Sequence, residues 1–160
     1  MSTLSILEYP DPRLRVKARP VICFDETLRC LIADMFETLY ATRGIGLAAC
    51  QVGVHLKVIA MDVSGEAKAP RVFINPTILS RDKIGLVEES CLSVPGTVVD
   101  VRRATELRVR AQDVTGASHD SNLEGLSAVC LQHEMDHLEG RLLVDHLPLY
   151  KRFMMRSRLG

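Results

Sequence analysis

Apolar residues after Asp25 recur at three- and four-residue steps: Leu28, Leu31, Ile32, Met35, Phe36 and Leu39. This spacing gathers one apolar stripe on a helix, with Asp25 as its N-cap and Gly44 as its expected stop. Downstream the period changes. Val58–Met61 is a continuous apolar run and Val72–Ile74 another, the second expected to close at Pro76. Residues 64–70 between them have loop chemistry. Thr97–Val101 is rich in β-formers, and Leu107, Val109 and Ala111 alternate with polar residues as a half-buried strand does. Asp113–Gly116 follows as a turn. Near the N-terminus, Tyr9-Pro10-Asp11-Pro12 fixes an extended turn. A second helix is expected from Leu126 to Leu138, stopped by Gly140, and a short basic amphipathic helix after Pro148. No regular strand–helix–strand alternation appears. The fold class is therefore α+β, with mainly antiparallel sheets around the second helix.

The chain has 160 residues, so residues 1–160 are expected to form a single catalytic-size domain. Twenty Lys plus Arg balance twenty Asp plus Glu, which argues against binding DNA through bulk positive charge. No apolar run approaches a membrane span. Five cysteines (Cys23, Cys30, Cys50, Cys91 and Cys130) are an odd number in a chain that needs no staples, and no signal-peptide core precedes them. They point to a reducing compartment, with free thiols or a metal ligand in place of a disulfide framework.

The second helix carries chemistry. Leu126, Val129, Cys130, His133 and His137 share one helix face, which turns both histidines toward the core. His133 and His137 are one turn apart, with Glu134 between them, as H-E-x-x-H. Such a pair can hold one metal ion while the glutamate handles the proton of an attacking water. Two hydrogen-bonded core histidines, or a closed structural metal site, are the alternatives. A third ligand is needed in the metal reading. Glu139 follows too closely, and Asp145 and His146 lie past the Gly140 break. Upstream, Cys91 sits between small residues before Pro95-Gly96, where a thiolate could face iron or zinc or a structural thiol could be buried. His55, His119 and His146 lack comparable partners and read as surface or loop residues.

Three segments, Gly44-Ile45-Gly46-Leu47-Ala48-Ala49-Cys50-Gln51-Val52-Gly53, Glu89-Ser90-Cys91-Leu92-Ser93 and Gln132-His133-Glu134-Met135-Asp136-His137, together resemble the peptide deformylases. The resemblance runs from about residue 4 to about residue 148. It implies a hydrolase that removes the N-formyl group from the formylmethionine of newly made polypeptides and releases formate. It further implies that Cys91, His133 and His137 bind a divalent metal, ferrous iron in the cell, replaceable by nickel, cobalt or zinc. Glu134 would be general base and acid, while Gln51 and the Leu92 backbone N–H would meet the oxyanion. Ile45, Val87, Leu126, Val129 and Cys130 would wall the methionine pocket. Gly44 and Gly46 would contact the substrate through their backbone, and Glu89 with Arg103 would support the ligands.

Several positions depart from the family's pattern. Ser90 stands where glycine is usual, and would be strained if that position required φ > 0. Cys50 replaces a Pro or Thr, and Val98 stands where some members carry a peptide-holding Arg. The start of the resemblance near residue 4 leaves no room for a transit peptide, so a bacterial-type cytoplasmic enzyme is expected. The C-terminal segment, with Lys151 and Arg152, is expected to pack or be solvated, with ribosome contact as its second reading. Two other readings remain: a related enzyme acting on another N-acyl substrate, and a metal-binding homologue without catalysis.

Overall fold

The computed structural model describes residues 2–159, with side chains described through Met155. Three α-helices accompany five strands: α1 Glu26–Ala41, β1 Gly46–Ala48, β2 Val58–Met61, β3 Arg71–Cys91, β4 Val94–Gln112, β5 Ser118–Glu124, α2 Leu126–Leu138 and α3 Leu149–Leu159. The strands form one antiparallel sheet in sequence order β1-β2-β3-β4-β5. The fold is α+β, and the expected sheets are this one continuous sheet.

The unbroken apolar run of β2 has a physical reason: it is covered on both faces. Val58 and Ala60 face one core with Leu28, Ile32, Met35 and Leu39 of α1. Ile59 and Met61 face the other with Ala128, Cys130, Leu131 and Leu138 of α2. The sheet thus lies between the two helices. A third apolar cluster joins Leu7 and Leu14 to Cys91, Val94, Val99 and Val101, with Leu142, Leu143 and Val144 closing it.

Asp25 caps α1 by accepting a hydrogen bond from Leu28 N at 3.0 Å. The helix ends earlier than Gly44, however. Arg43 takes the left-handed turn at φ 57°. A Cβ at Gly44 would lie 2.9 Å from Leu92 Cδ1, so a side chain there would have to displace that terminal methyl.

Pro76 does not close the second apolar run. Strand β3 continues to Cys91 because Pro76 falls at a bulge between Ile74 and Thr77, where its missing N–H costs no ladder bond. Asn75 holds the kink, donating to the Val21 and Gln112 side of the fold through Nδ2 and accepting from Val21 N at 2.8 Å. Likewise, the β-rich segment Thr97–Val101 is one part of the much longer β4. The β5 strand gave no apolar signal, since Leu123 alone along it is buried. It is held instead by its ladder with β4 and by Asp120, which pairs with Arg108 and Arg110. Among the described residues no helix is long and apolar enough to cross a membrane.

Candidate metal centre and substrate cavity

Helix α2 positions the two histidines through a tie to the sheet. Gln132 accepts from Ala104 N at 3.1 Å and donates to Ala104 O at 2.7 Å, docking the helix on β4. The next residue, His133, is thereby set above the end of β3, where Cys91 is the last residue before the two-residue turn Leu92-Ser93. One ligand atom each from Cys91, His133 and His137 lies within 4.8 Å of the others, and all three residues are buried. Cys91 Sγ stands 3.3 Å from His137 Nε2. Neighbouring ligands of a tetrahedral ion with ordinary Zn–S and Zn–N bonds would be about 3.5 Å apart, so the set fits one ion. Among the described residues no other such group occurs. Asp145 is engaged elsewhere, by Arg15 at 2.9 Å.

A second layer orients the candidate ligands. His133 Nδ1 lies 2.8 Å from Glu89 Oε1, which leaves Nε2 for the ion. Arg103 donates to both oxygens of Glu89 and, at 2.9 Å, to Asp136, whose carboxylate also meets His146. Burial would raise the Glu89 carboxyl, but its hydrogen bonds from His133 and Arg103 prevail and hold it down at about 2. The buried Glu89–Arg103 pair is thus anchored to His133.

Glu134, next to His133 on α2, lines a cavity that Cys91 and His133 also border. Its Oε2 is buried with no hydrogen-bond partner, as is Nδ1 of His137. Burial, reinforced by the charges of Glu89 and Asp136, pushes the Glu134 carboxyl up to about 7 despite the opposing pull of His133. A carboxyl poised there can both take and give a proton near neutral pH. Burial and the neighbouring His133 lower His137 well below the ordinary histidine range, keeping its imidazole in the neutral form that a metal requires.

Gln51 sits in a 3-10 turn that follows β1. Its Oε1 accepts from Ala48 N at 2.9 Å, while Nε2 donates to Ser93 Oγ at 3.1 Å and points toward Cys91 Sγ at 3.8 Å. The amide is therefore fixed with its N–H side toward the ligands. The N-terminal segment braces both partners: Leu7 N bonds Gln51 O at 2.8 Å, and Tyr9 N bonds Ser93 O at 2.7 Å.

The cavity has a volume of about 710 Å³. Gly44, Ile45, Gly46 and Gln51 line one side; Val87, Cys91 and Leu92 line another; Leu126, Val129, Cys130, His133 and Glu134 form the helix wall. His137 lies beneath it. Leu126 is 53% exposed, which places it at the rim. Ser90 takes no positive φ, so the strain considered for it is absent. Cys50 is buried, and burial raises its thiol to about 11. All five cysteines are free, Cys23 and Cys30 being exposed. His55 lies in a loop against Arg13 O, whereas His119 is exposed on β5 beside Asp113. Sequence reasoning missed Ser93, Gln132 and Asp136 as supports, although each lies inside a recognised motif.

Two histidines and a glutamate on one helix, a cysteine at a strand end and an adjoining apolar cavity are the arrangement a mononuclear metallohydrolase would need. The sequence matches the family Polypeptide deformylase over residues 3–153. It is 52% identical over 161 residues to the peptide deformylase of Hahella chejuensis, covering 99% of this chain and 95% of that one. It is 50% identical over 160 residues to that of Cellvibrio japonicus, with the same coverage. Among solved structures, a peptide deformylase from Legionella pneumophila superposes with TM-score 0.94 at 47% identity, over 99% of this chain and 94% of that one. One from Ehrlichia chaffeensis in complex with actinonin gives TM-score 0.93 at 37% identity, over 99% and 96%. The chain belongs to the polypeptide deformylase family. It is a peptide deformylase, a metalloenzyme that hydrolyses the N-formyl group from new polypeptides.

Proposed function

We propose that this chain deformylates N-formylmethionyl peptides at the Cys91–His133–His137 centre, with ferrous iron as the cellular metal. The convergence of those three ligand atoms within 4.8 Å, beside a buried carboxylate oxygen without a partner, carries this reading. One soft thiolate with two imidazoles suits Fe²⁺, Zn²⁺, Ni²⁺ or Co²⁺, and a cellular reducing environment would keep Cys91 available. When bound, the divalent cation supplies Lewis acidity that makes water a competent nucleophile near neutral pH.

The chain's own residues supply the rest. Among the described residues no strand pairs with the edge of β1 opposite β2, so the backbone at Gly44–Gly46 can receive a peptide as an added strand. The methionine side chain enters the apolar part of the cavity, between Ile45, Val87, Leu126, Val129 and Cys130. Glu134 takes a proton from the attacking water. The Gln51 amide N–H and the Leu92 backbone N–H face the oxygen that gains charge as the formyl carbon becomes tetrahedral. Glu134 then returns the proton to the departing nitrogen, the C–N bond breaks, and formate and a free amine leave.

Residues 1–160 act as one catalytic unit in this reading, located in the cytoplasm where formylated chains emerge. Helix α3 serves chiefly in packing: Met155 joins the third core cluster and Arg152 donates to Leu147 O at 3.0 Å. Its exposed Lys151 supports a secondary role in ribosome contact.

Formate release from a formyl-Met tripeptide tests the proposal. Anaerobically prepared, iron- or nickel-loaded protein should turn over, and Glu134→Ala should abolish turnover while keeping the metal. Full metal occupancy without formate release would overturn the reading. Turnover confined to other acyl groups would replace it with the related amidohydrolase.

A further inference from the structure

Behind α2, on the side away from the substrate cavity, lies a second cleft of about 340 Å³. Its lining includes Lys57, Arg81, Arg102 and Arg141, and none of these makes an ion pair among the described residues. Elsewhere on this electrically balanced chain arginines are commonly paired, as Arg13 is with Asp11, Arg15 with Asp145 and Arg110 with Asp120. Two carboxylates also line the cleft. Asp136 is already engaged by Arg103 and His146, and Glu139 alone leaves the cations in excess. Ile78, Met135 and Leu138 provide an apolar wall.

We propose that this cleft binds a small phosphate-bearing molecule with an apolar or planar body, of nucleotide size. Four cations without ion-pair partners among the described residues, lining one cleft, favour a multivalent anion, and the guanidinium fork suits phosphate oxygens. The apolar wall favours a body attached to that anion over the bare ion. Zero net charge and the confined volume favour a small ligand over a long polyanion. The cleft also abuts the support of the metal centre: Arg103 and Asp136 line it, and Arg103 holds Glu89 against His133. A ligand seated there lies one side chain from His133, on the face of α2 away from the cavity proposed for the peptide.

Calorimetric titration of the metal-loaded full chain with ATP, free of added magnesium, tests the site against inorganic pyrophosphate and a short RNA oligonucleotide. One ATP per chain should bind, at least ten-fold more tightly than pyrophosphate, and affinity should fall with salt. The double variant Arg81→Glu/Arg141→Glu should lose at least ten-fold in ATP affinity, whereas Lys17→Glu, an exposed charge outside the cleft, should not. Retained formate release would show that the double variant is folded. If it fails to fold, the Met135 methyl resonance of the unaltered protein reports directly, and should shift on ATP addition. No ATP binding at millimolar concentration would overturn the proposal. So would binding indifferent to the double substitution, a silent Met135 signal, pyrophosphate as tight as ATP, or preferred binding of RNA.

Discussion

Glu89 Oε1 lies 2.8 Å from His133 Nδ1, and the same carboxylate takes Arg103 Nε at 2.7 Å. The histidine ring is thus oriented by a charged acceptor which is itself neutralised by a buried guanidinium. Glu89→Gln keeps the shape but removes the charge, leaving Arg103 with Asp136 as its one carboxylate partner among the described residues. Metal affinity is expected to fall about 10- to 100-fold. Competition with a chelator measures this; unchanged retention would mean that the pair only stabilises the fold.

Gly46 faces a different constraint. A Cβ at this position would lie 2.6 Å from Cys130 Sγ and 2.9 Å from Glu134 Oε1. Gly46→Ala must therefore displace the carboxylate expected to move the proton. A displacement near 1 Å can cost about 100-fold in rate, so kcat/KM should fall on that scale while metal content stays full. Adding Cys130→Ala relieves the sulfur contact only, and recovery should be partial. Activity near that of the unaltered chain would show that Glu134 is not held by this packing.

The part of the candidate site carried by one helix is legible in the sequence because helical spacing is local: grouping His133, Glu134 and His137 on α2 needs no knowledge of the rest of the chain. Cys91 was not fixed by spacing, since its partners lie 42 and 46 residues away and the resemblance supplied it. Glu89 and Arg103 meet across the β3–β4 ladder, near the pairing of Glu89 with Val99, and nothing in a single strand announces that register. The long β3–β4 hairpin was harder still. Much of it projects as polar, exposed ribbon, so the alternation that marks a half-buried strand is lost between Leu79 and Leu86. Polar β5 failed for the same reason, and Pro76 misled because a bulge excuses its missing N–H.

Tyr40 provides a test remote from the metal. Its hydroxyl donates to Asp62 Oδ2 at 2.7 Å, and burial together with that carboxylate pushes the phenol up to about 12 from 10. The folded state therefore retains a proton that the unfolded chain releases. Stability from this contact is complete below pH 10 and is lost as pH rises from 10 through about 12. Tyr40→Phe should cost about 1 kcal/mol at neutral pH. Urea midpoints of the two proteins should then converge over the alkaline window. A gap that stayed constant to the highest pH would refute the assignment.

Gly140 joins the end of α2 to the N-terminal segment through a contact that leaves no room for a side chain. It has φ 73°, and a Cβ would stand 2.4 Å from Arg15 O. The neighbouring backbone cannot readily withdraw, because Ala18 N bonds Leu138 O at 2.8 Å and Arg15 pairs with Asp145. Gly140→Ala meets both penalties, a left-handed backbone and a collision with main chain. It should destabilise the fold by about 2–3 kcal/mol, more than left-handed strain alone. Arg15 lies in the same N-terminal segment whose Leu7 and Tyr9 brace Gln51 and Ser93, so loosening it should also raise proteolytic sensitivity near the N-terminus. Thermal unfolding and limited proteolysis measure the two effects. A midpoint equal to that of the unaltered protein would show that the segment yields without cost.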